Sequence, residues 1–288
     1  MAKVFLTGST GFLGSRLRAR LQALGGDVSL TELRRSTGAD LLKPDSYAQE
    51  LAGTDTVVHL AAATGKALPV EHFRINAEGT RVLLEQSRRH GVRRFVFVSS
   101  IATTFPDIRR YPYARAKLEA EAAVANSGLD YTIVRPTIIA GRGSPLLEGL
   151  RRLAGLPVVP VFGSGQVRVQ PILVDDLANC FVSIIRDSLA SRQTVEIGGP
   201  EVITIEHLLG KMHWVLTGKP ARFVHVPLAP FLPLLGILEV VAYRALPVTV
   251  GQLATFQFDG VASANPVFEQ QWVGMTGVTR MIELSFAS

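Results

Sequence analysis

The chain has 288 residues, of which 47% are hydrophobic and 19% are charged, so its composition excludes an intrinsically disordered protein and indicates one large folded domain, with or without a smaller partner. The net charge of +6 comes from 30 basic and 24 acidic residues. Because the basic residues are scattered in pairs and form neither a stripe nor a tail, the sequence argues against nucleic-acid binding.

Short β-branched runs alternate with longer helical patterns in the first half of the chain. Strands are predicted at residues 4–6, 28–33, 56–60, 95–98 and 131–134. Helices are predicted at residues 11–24, around residues 82–88, and at residues 113–126. Because parallel strands need crossover helices to connect them, this repeat predicts a doubly wound α/β fold with a parallel sheet.

The composition of the sequence changes after residue 136, where glycine and proline become frequent. We predict a large domain over residues 1–165, to which residues 171–198 return, and a smaller substrate lobe over residues 199–288. The most apolar stretch, residues 223–243, is broken by prolines. Its longest unbroken part is only about half of the roughly 20 residues that span a bilayer, so no transmembrane segment is expected.

The residues from Thr7 to Gly14 predict a phosphate-binding turn between the first strand and the first helix. Gly8 permits a tight turn, Gly11 lets the backbone approach a pyrophosphate, and Gly14 allows close packing of helix on strand. Free N–H groups and the helix dipole favour negative charge at this point. A glycine triplet placed between a strand and a helix is the context that dinucleotide binding requires.

The end of the second strand carries conflicting signals about the cofactor. Glu32 lies 24 residues after Gly8, where an acidic group binds the ribose hydroxyls of NAD and repels the 2′-phosphate of NADP. Arg34 and Arg35 follow at once and provide charge for that phosphate. Both cofactors therefore stay open, and Glu32 favours NAD.

Tyr113 and Lys117 lie one helical turn apart, on the same face of a predicted helix. A lysine cation beside a phenol lowers the pKa of that phenol towards a range useful for proton transfer. Ser99 and Ser100 end the preceding strand, at the sheet edge where ligands bind in open α/β folds. A serine hydroxyl at this edge can polarise a substrate carbonyl while the tyrosine delivers the proton.

The order of glycine turn, strand-end serine and Tyr-x-x-x-Lys resembles the short-chain dehydrogenase/reductases, in particular their extended and atypical branches, which include nucleotide-sugar epimerases and dehydratases. The resemblance covers residues 4 to about 180. It rests on residues 7–14, 59–62, 76–80, 95–100, 113–117, 135–137 and 174–178. It implies a Rossmann fold and an NAD(P)-dependent enzyme that acts on a small-molecule substrate.

The resemblance also implies a role for each matching residue. Tyr113 is expected to be the general acid/base, and Lys117 its pKa-lowering and ribose-binding partner. Ser100 is expected to orient the substrate oxygen, and Asn76 to help hold the proton relay. The residues expected along the cofactor groove are Gly8, Thr10, Gly11, Phe12, Leu13, Gly14, Glu32, Arg34, Arg35, Asp40, Leu41, Ala61, Ala62, Lys117 and Pro136.

Two departures from the family pattern keep a second function open. Tyr113 follows Ser100 after only 13 positions, and Ala102 stands where sugar epimerases often carry a hydroxyl, so a different substrate pocket is expected. The apolar segment at residues 231–246 looks like that of atypical members related to a respiratory complex I accessory subunit. The leading hypothesis is an NAD(P)-dependent oxidoreductase, epimerase or dehydratase, and the alternative is a non-catalytic, cofactor-bound scaffold.

The remaining polar residues are interpreted as structural. The six histidines lack the spacing of a metal site, and His59 is expected to be a hydrogen-bonded core residue. The single cysteine, Cys180, is expected in the core, excludes an internal disulfide framework, and favours a reducing compartment such as the cytoplasm. A homodimer is compatible with the sequence. So is a peripheral membrane contact through Leu232, Leu235, Leu238 and Val241.

Overall fold

The computed structural model describes residues 2–65, 67–228, 256–265 and 274–287, together with Leu253 and Glu269. The predicted apolar segment at residues 231–246, with its four-residue stripe, lies outside the described residues. Among the residues that are described, no helix is long and apolar enough to cross a membrane.

Six parallel strands form the central sheet, which confirms the predicted α/β fold. They are β1 (Ala2–Thr7), β2 (Val28–Leu33), β3 (Thr56–His59), β4 (Arg94–Val98), β5 (Asp130–Pro136) and, after the shorter strands named below, β10 (Gln193–Ile197). Their order in the sheet is β10-β5-β4-β3-β1-β2. From β1 the chain adds β2 on one side, and it then crosses back to add β3, β4 and β5 on the other side, so the order of strands reverses between β1 and β3. Ligands bind beyond the carboxyl ends of the strands at such a switch point.

The helices that flank or extend this sheet follow the predicted positions in the first half of the chain. They are α1 (Phe12–Ala23), α2 (Pro69–His72), α3 (Gly79–Arg89), α4 (Pro112–Ala125), α5 (Pro145–Ala154), α6 (Val174–Arg186), α7 (Ile205–Thr217) and α8 (Val278–Phe286). A π-helix, Phe73–Glu78, joins α2 to α3 and was not predicted, because one extra residue per turn leaves no clear periodic signal.

Two hydrophobic layers cover the two faces of the sheet. One packs α1 and α6 against β1, β3, β4, β5 and β10, and it contains the fully buried Cys180, as predicted. The other packs α3 and α4 against the opposite face around Phe5, Phe95 and Phe97. Because both faces are covered, the central strands β3 and β4 are almost wholly buried, as parallel strands usually are.

A further core lies beside the carboxyl end of the sheet. It combines side chains from residues 140–173 with side chains from α7, α8 and Phe256. Three two-stranded sheets surround this core: β6 (Ile139–Ala140) with β9 (Ile172–Leu173), β7 (Val159–Phe162) with β12 (Phe223–Val226), and β8 (Arg168–Val169) with β11 (Ile203–Thr204). The core therefore draws on residues from both sides of the proposed boundary at residue 198, and that division of the chain stays a prediction.

Candidate functional site

The glycine turn after β1 is so tightly packed that side chains would not fit at two of its positions. A Cβ at Gly8 would lie 2.6 Å from the backbone nitrogen of Ala61, and Gly8 has a φ of +73°. A Cβ at Gly14 would lie 2.0 Å from the carbonyl oxygen of Gly8. At Gly11 the nearest atom to an added Cβ would be 3.2 Å away. The turn therefore brings the start of α1 against the end of β3, as the predicted cradle requires.

The amino end of α1 suits an anion. Gly11 is the N-cap and provides no side-chain acceptor, and the first turn holds no acidic residue. The N–H groups at this end therefore carry uncompensated positive potential next to the turn. Of the neighbouring predicted residues, Thr10 is exposed, Phe12 is half-buried and Leu13 is buried in the core. This cradle fits the pyrophosphate of a dinucleotide.

Glu32 and Arg34 form a bidentate ion pair at the end of β2. Arg34 donates to the carboxylate from Nη2 at 2.6 Å and from Nε at 3.1 Å, and Arg18 lies 3.9 Å from the same carboxylate. Burial alone would raise the pKa of Glu32, but the hydrogen bonds from Arg34, the hydroxyl of Ser9 and the charges of Arg34 and Arg18 outweigh it and lower the pKa. Arg35 is exposed. The Glu32 carboxylate is thus ionised next to the cradle, and the guanidinium of Arg34 is paired with it.

Asp40 and Leu41 occupy different environments. The Asp40 carboxylate accepts from the backbone N–H of Leu42 at 3.0 Å and so closes a turn. Leu41 is 5% exposed, and its carbonyl accepts from the hydroxyl of Tyr47. Leu41 therefore belongs to the core beneath the sheet edge, and its expected contact with a cofactor stays a prediction.

A chain of hydrogen bonds supports the backbone at Ala61. The Ala61 N–H donates to Thr7 Oγ1 at 3.1 Å, Thr7 Oγ1 lies 2.7 Å from His59 Nδ1, and His59 Nε2 lies 3.0 Å from Thr80 Oγ1. Thr80 donates to the carbonyl of Asn76 at 2.7 Å. Burial and the charge of a nearby lysine lower the pKa of His59 to about 3, so the ring is neutral. This confirms His59 as a hydrogen-bonded core residue.

Asn76 clamps the loop that follows β3. Its Oδ1 accepts from the N–H of Ala63 at 2.7 Å, and its Nδ2 donates to the Ala63 carbonyl at 2.9 Å. The π-helix turns this fully buried side chain towards the loop. His72, which the sequence analysis did not single out for the site, also contacts the Ala63 carbonyl and lies edge-to-face on the ring of Tyr113, with centroids 5.8 Å apart.

Ser100 and Tyr113 come together at the carboxyl end of β4. Ser100 caps a short 3-10 helix, Ile101–Thr104, and accepts from the N–H of Ala102. Burial raises the pKa of Tyr113 to about 12, and the nearby hydroxyl of Ser100 opposes this rise. No lysine contributes to the pKa of Tyr113 in this structure, because the Lys117 ammonium donates to the Val98 carbonyl, and the expected lowering by a lysine stays a prediction.

Lys117 is buried beneath this edge, with 2% of its surface exposed. Its Nζ donates to the carbonyl of Val98 at 2.7 Å and lies 4.6 Å from the centroid of the Phe97 ring. Burial lowers the pKa of Lys117 to about 7, and the charge of Glu121 opposes this fall. The ammonium is therefore held at the end of β4, one helical turn from Tyr113.

Glu121 is a site residue that the sequence analysis missed. This buried carboxylate accepts from Arg135 at 2.6 and 3.0 Å, from Thr103 at 3.2 Å and from the hydroxyl of Ser99. Its position four residues after Lys117, on the same helix face, was the available signal. Pro136, which follows Arg135, is buried at the end of β5. Its contact with a cofactor stays a prediction.

No group of histidine, cysteine, aspartate and glutamate residues in the described ranges has the geometry of a metal site. The functional groups gathered at this edge are the hydroxyls of Ser100 and Tyr113, the ammonium of Lys117 and the anion cradle at the start of α1.

Comparison with known proteins places this geometry in a family. The chain is 28% identical over 251 residues to NADH dehydrogenase [ubiquinone] 1 alpha subcomplex subunit 9, mitochondrial, of Arabidopsis thaliana, covering 79% of this chain and 60% of that protein. Across three curated relatives that it matches, the chain spans between 48% and 60% of the relative's length.

Solved structures share the fold across nearly the whole chain. UDP-glucuronic acid 4-epimerase from Bacillus cereus, in complex with UDP-glucuronic acid and NAD, superposes with a TM-score of 0.73 at 17% identity and covers 98% of this chain and 97% of its own. The dTDP-4-dehydrorhamnose reductase of Bacillus anthracis, in complex with NADP, gives a TM-score of 0.73 at 18% identity, with 99% of each chain covered.

The model of a family described as "NAD dependent epimerase/dehydratase family" matches residues 4–198. That range holds the glycine cradle, the Ser100–Tyr113 pair and Lys117. The chain therefore belongs to the NAD-dependent epimerase/dehydratase family.

Proposed function

We propose that the protein is an NAD(P)-dependent oxidoreductase, or an epimerase or dehydratase that uses transient hydride transfer, acting on a carbinol or carbonyl carbon. The observation that carries this proposal is the Ser100–Tyr113 pair at the end of β4, with Lys117 one turn further along α4. The glycine cradle at the end of β1 lies two strands away on the same sheet edge.

The cradle and the end of β2 are proposed to hold the dinucleotide. The backbone from Gly8 to Gly14 would receive the pyrophosphate, and Glu32 would accept hydrogen bonds from the ribose hydroxyls. We favour NAD over NADP, because Glu32 already engages the guanidinium of Arg34 that a 2′-phosphate would need. Asn76 would position the groove backbone at Ala63 and so act on cofactor binding indirectly.

The proton is assigned to Tyr113. A nicotinamide, when bound, supplies or removes the hydride at the reacting carbon. With its pKa raised to about 12, the phenol keeps its proton at neutral pH and is suited to donate it to a carbonyl oxygen during reduction. Oxidation requires the phenolate of Tyr113, which accepts the hydroxyl proton and becomes the phenol, and the ammonium of Lys117 would stabilise that phenolate before the transfer. Ser100 would hydrogen-bond the same substrate oxygen.

Titrations with NADH and NADPH, followed by nicotinamide fluorescence, test the cofactor assignment. We expect both wild type and Tyr113→Phe to bind NADH with similar affinity, because the phenol is not part of the cradle. Turnover should fall by at least about a thousandfold in Tyr113→Phe, the upper range for loss of a general acid/base. A Tyr113→Phe variant with undiminished turnover, or a wild type that binds neither cofactor, would contradict the proposal.

A non-catalytic scaffold is the second candidate function. The similarity to a NADH dehydrogenase subunit supports it, and so does the engagement of Lys117 by the Val98 carbonyl, which leaves that ammonium a structural role. The scaffold hypothesis predicts that the protein binds the cofactor but turns over no carbonyl substrate. It also predicts that the protein co-purifies with a larger assembly. A cytoplasmic location, a homodimer and a peripheral membrane contact remain proposals that fractionation, sedimentation and liposome binding would test.

A further inference from the structure

An apolar cluster lies beside the Ser100–Tyr113 pair. Its buried members are Ala102, Phe105 and Ala114, and its half-buried members are Ile108, Tyr111 and Phe258. We refer to Phe105, Tyr111 and Phe258 as the aromatic wall. Tyr111 and Phe258 are each only partly buried, so both rings keep some exposed apolar surface at the edge where the proposed reaction takes place.

The aromatic wall is continuous with the catalytic tyrosine. The ring centroids of Phe105 and Phe258 are 5.7 Å apart, and those of Tyr111 and Tyr113 are 5.9 Å apart. The hydroxyl of Ser100 accepts from the N–H of Ala102, so the loop that carries Phe105 is fixed to the proposed substrate-orienting residue. A group bonded to the reacting carbon would therefore meet ring and aliphatic surface.

Phe258 comes from a segment that is fastened to the large domain by side chains. The Asp259 carboxylate accepts from the backbone N–H and the guanidinium of Arg168, both at 2.8 Å. The Ala262 N–H donates to Gln170 Oε1 at 2.9 Å, and the same segment also bonds to Glu196. These hydrogen bonds hold the ring of Phe258 in place against Phe105, so the aromatic wall has a fixed position in the site.

Several of the described arginines around this edge are already engaged by carboxylates. Arg168 pairs with Asp259 at 2.7 Å, and Arg135 pairs with Glu121 at 2.6 Å. Two exposed arginines of the loop after Ser100 lie beside Asp107 and help to lower its pKa to about 2. A nucleoside diphosphate carries two or more negative charges, and these arginines could bind it only by giving up their ion pairs.

We propose that the substrate is an apolar carbonyl compound or the corresponding alcohol, with an alkyl or aryl group on the aromatic wall, and not a nucleotide sugar. The inference rests on the proposed function. In the reducing direction, hydride from the reduced nicotinamide forms a C–H bond at the carbonyl carbon. Tyr113 gives its proton to the oxygen, and the products are the alcohol and the oxidised cofactor.

Calorimetric titration of the NAD-loaded full chain tests this substrate class. The probes are acetophenone and decanal, as aryl and alkyl carbonyl compounds, and UDP-glucose as the nucleotide sugar. The variants are Phe258→Ala, Phe258→Leu as the conservative replacement, and Trp214→Ala as a control, because Trp214 is an exposed aromatic residue on α7 outside the cluster. Circular dichroism and NAD affinity establish that each variant is folded and loaded.

We expect at least one apolar probe to bind the wild type, and UDP-glucose not to bind. Phe258→Ala should weaken the binding of the apolar probe about tenfold, Phe258→Leu should restore most of it, and Trp214→Ala should leave it unchanged. The inference is overturned if UDP-glucose binds and the apolar probes do not, if no probe binds, or if Phe258→Ala has no effect. Failure of NAD itself to bind would instead refute the proposed function.

Discussion

Replacing Lys117 by methionine should change how the stability of the protein depends on pH. The lysine is 2% exposed, and burial lowers its pKa from 10.5 to about 7. In the unfolded chain it titrates at its ordinary value. Between about pH 7 and pH 10, the unfolded state therefore carries one proton more than the folded state, and the free energy of unfolding of the wild type rises with pH from this group.

The size of the effect follows from that difference of one proton. Stability should rise by about 1.4 kcal/mol per pH unit, or about 3 kcal/mol between roughly pH 7.5 and 9.5. At about pH 6 both states are protonated, and burying the charge costs on the order of 5 kcal/mol. Lys117→Met removes this cost and loses the hydrogen bond to Val98, which contributes about 1–2 kcal/mol, so the variant should be about 3 kcal/mol more stable there.

Urea denaturation followed by circular dichroism at several pH values would measure both curves. Groups that titrate in wild type and variant alike cancel in the difference, which should shrink steadily as the pH rises through this window. Lys219→Met serves as a control, because Lys219 is exposed and its removal should leave the pH dependence unchanged. Parallel stability curves for wild type and Lys117→Met would refute the reasoning.

Three further substitutions test the site. Gly14→Ala should weaken cofactor binding at least about tenfold, because its Cβ would lie 2.0 Å from a backbone oxygen of the cradle; Gly26→Ala, which meets nothing within 4 Å, should leave the fluorescence titration unchanged. Glu121→Gln should destabilise the fold by about 3 kcal/mol in urea, since Arg135 would lose its main buried counter-charge. Asn76→Leu should lower stability by about 1–3 kcal/mol and weaken NADH binding, and unchanged values of both would argue against the clamp on the loop after β3.

The sheet could be predicted from the sequence because its signal is local. Each buried parallel strand is a short apolar run, and each crossover helix has its own periodicity, so the alternation alone indicates the fold. The glycine cradle was predictable for the same reason, since Gly8, Gly11 and Gly14 lie within seven residues of one another. Ser100, Tyr113 and Lys117 were noted from their chemistry and spacing, whereas Asn76 and the role of each residue came from a family resemblance, and these roles stay predictions.

What the sequence did not reveal depends on pairings between distant residues. Glu121, on α4, gains its place in the site through Arg135 on β5, and the pairing of these two side chains has no local signature in the sequence. Phe258 reaches the proposed active site through bonds to residues about 90 positions earlier in the chain, of which Arg168 is one. The π-helix differs from an ordinary helix by one residue per turn, and the contacts of Asn76 follow from that insertion.

The hydrogen-bond chain through His59 gives the molecule a built-in spectroscopic reporter. Because the hydroxyl of Thr80 donates its only proton to a carbonyl, it accepts from Nε2, and Nδ1 accepts from Thr7. The imidazole is thereby locked in one neutral tautomer against the backbone of the cradle. Its ring nitrogen resonances, read by NMR on isotope-labelled protein without any mutation, would register any ligand that displaces Ala61, and would stay unchanged as the pH moves across the physiological range.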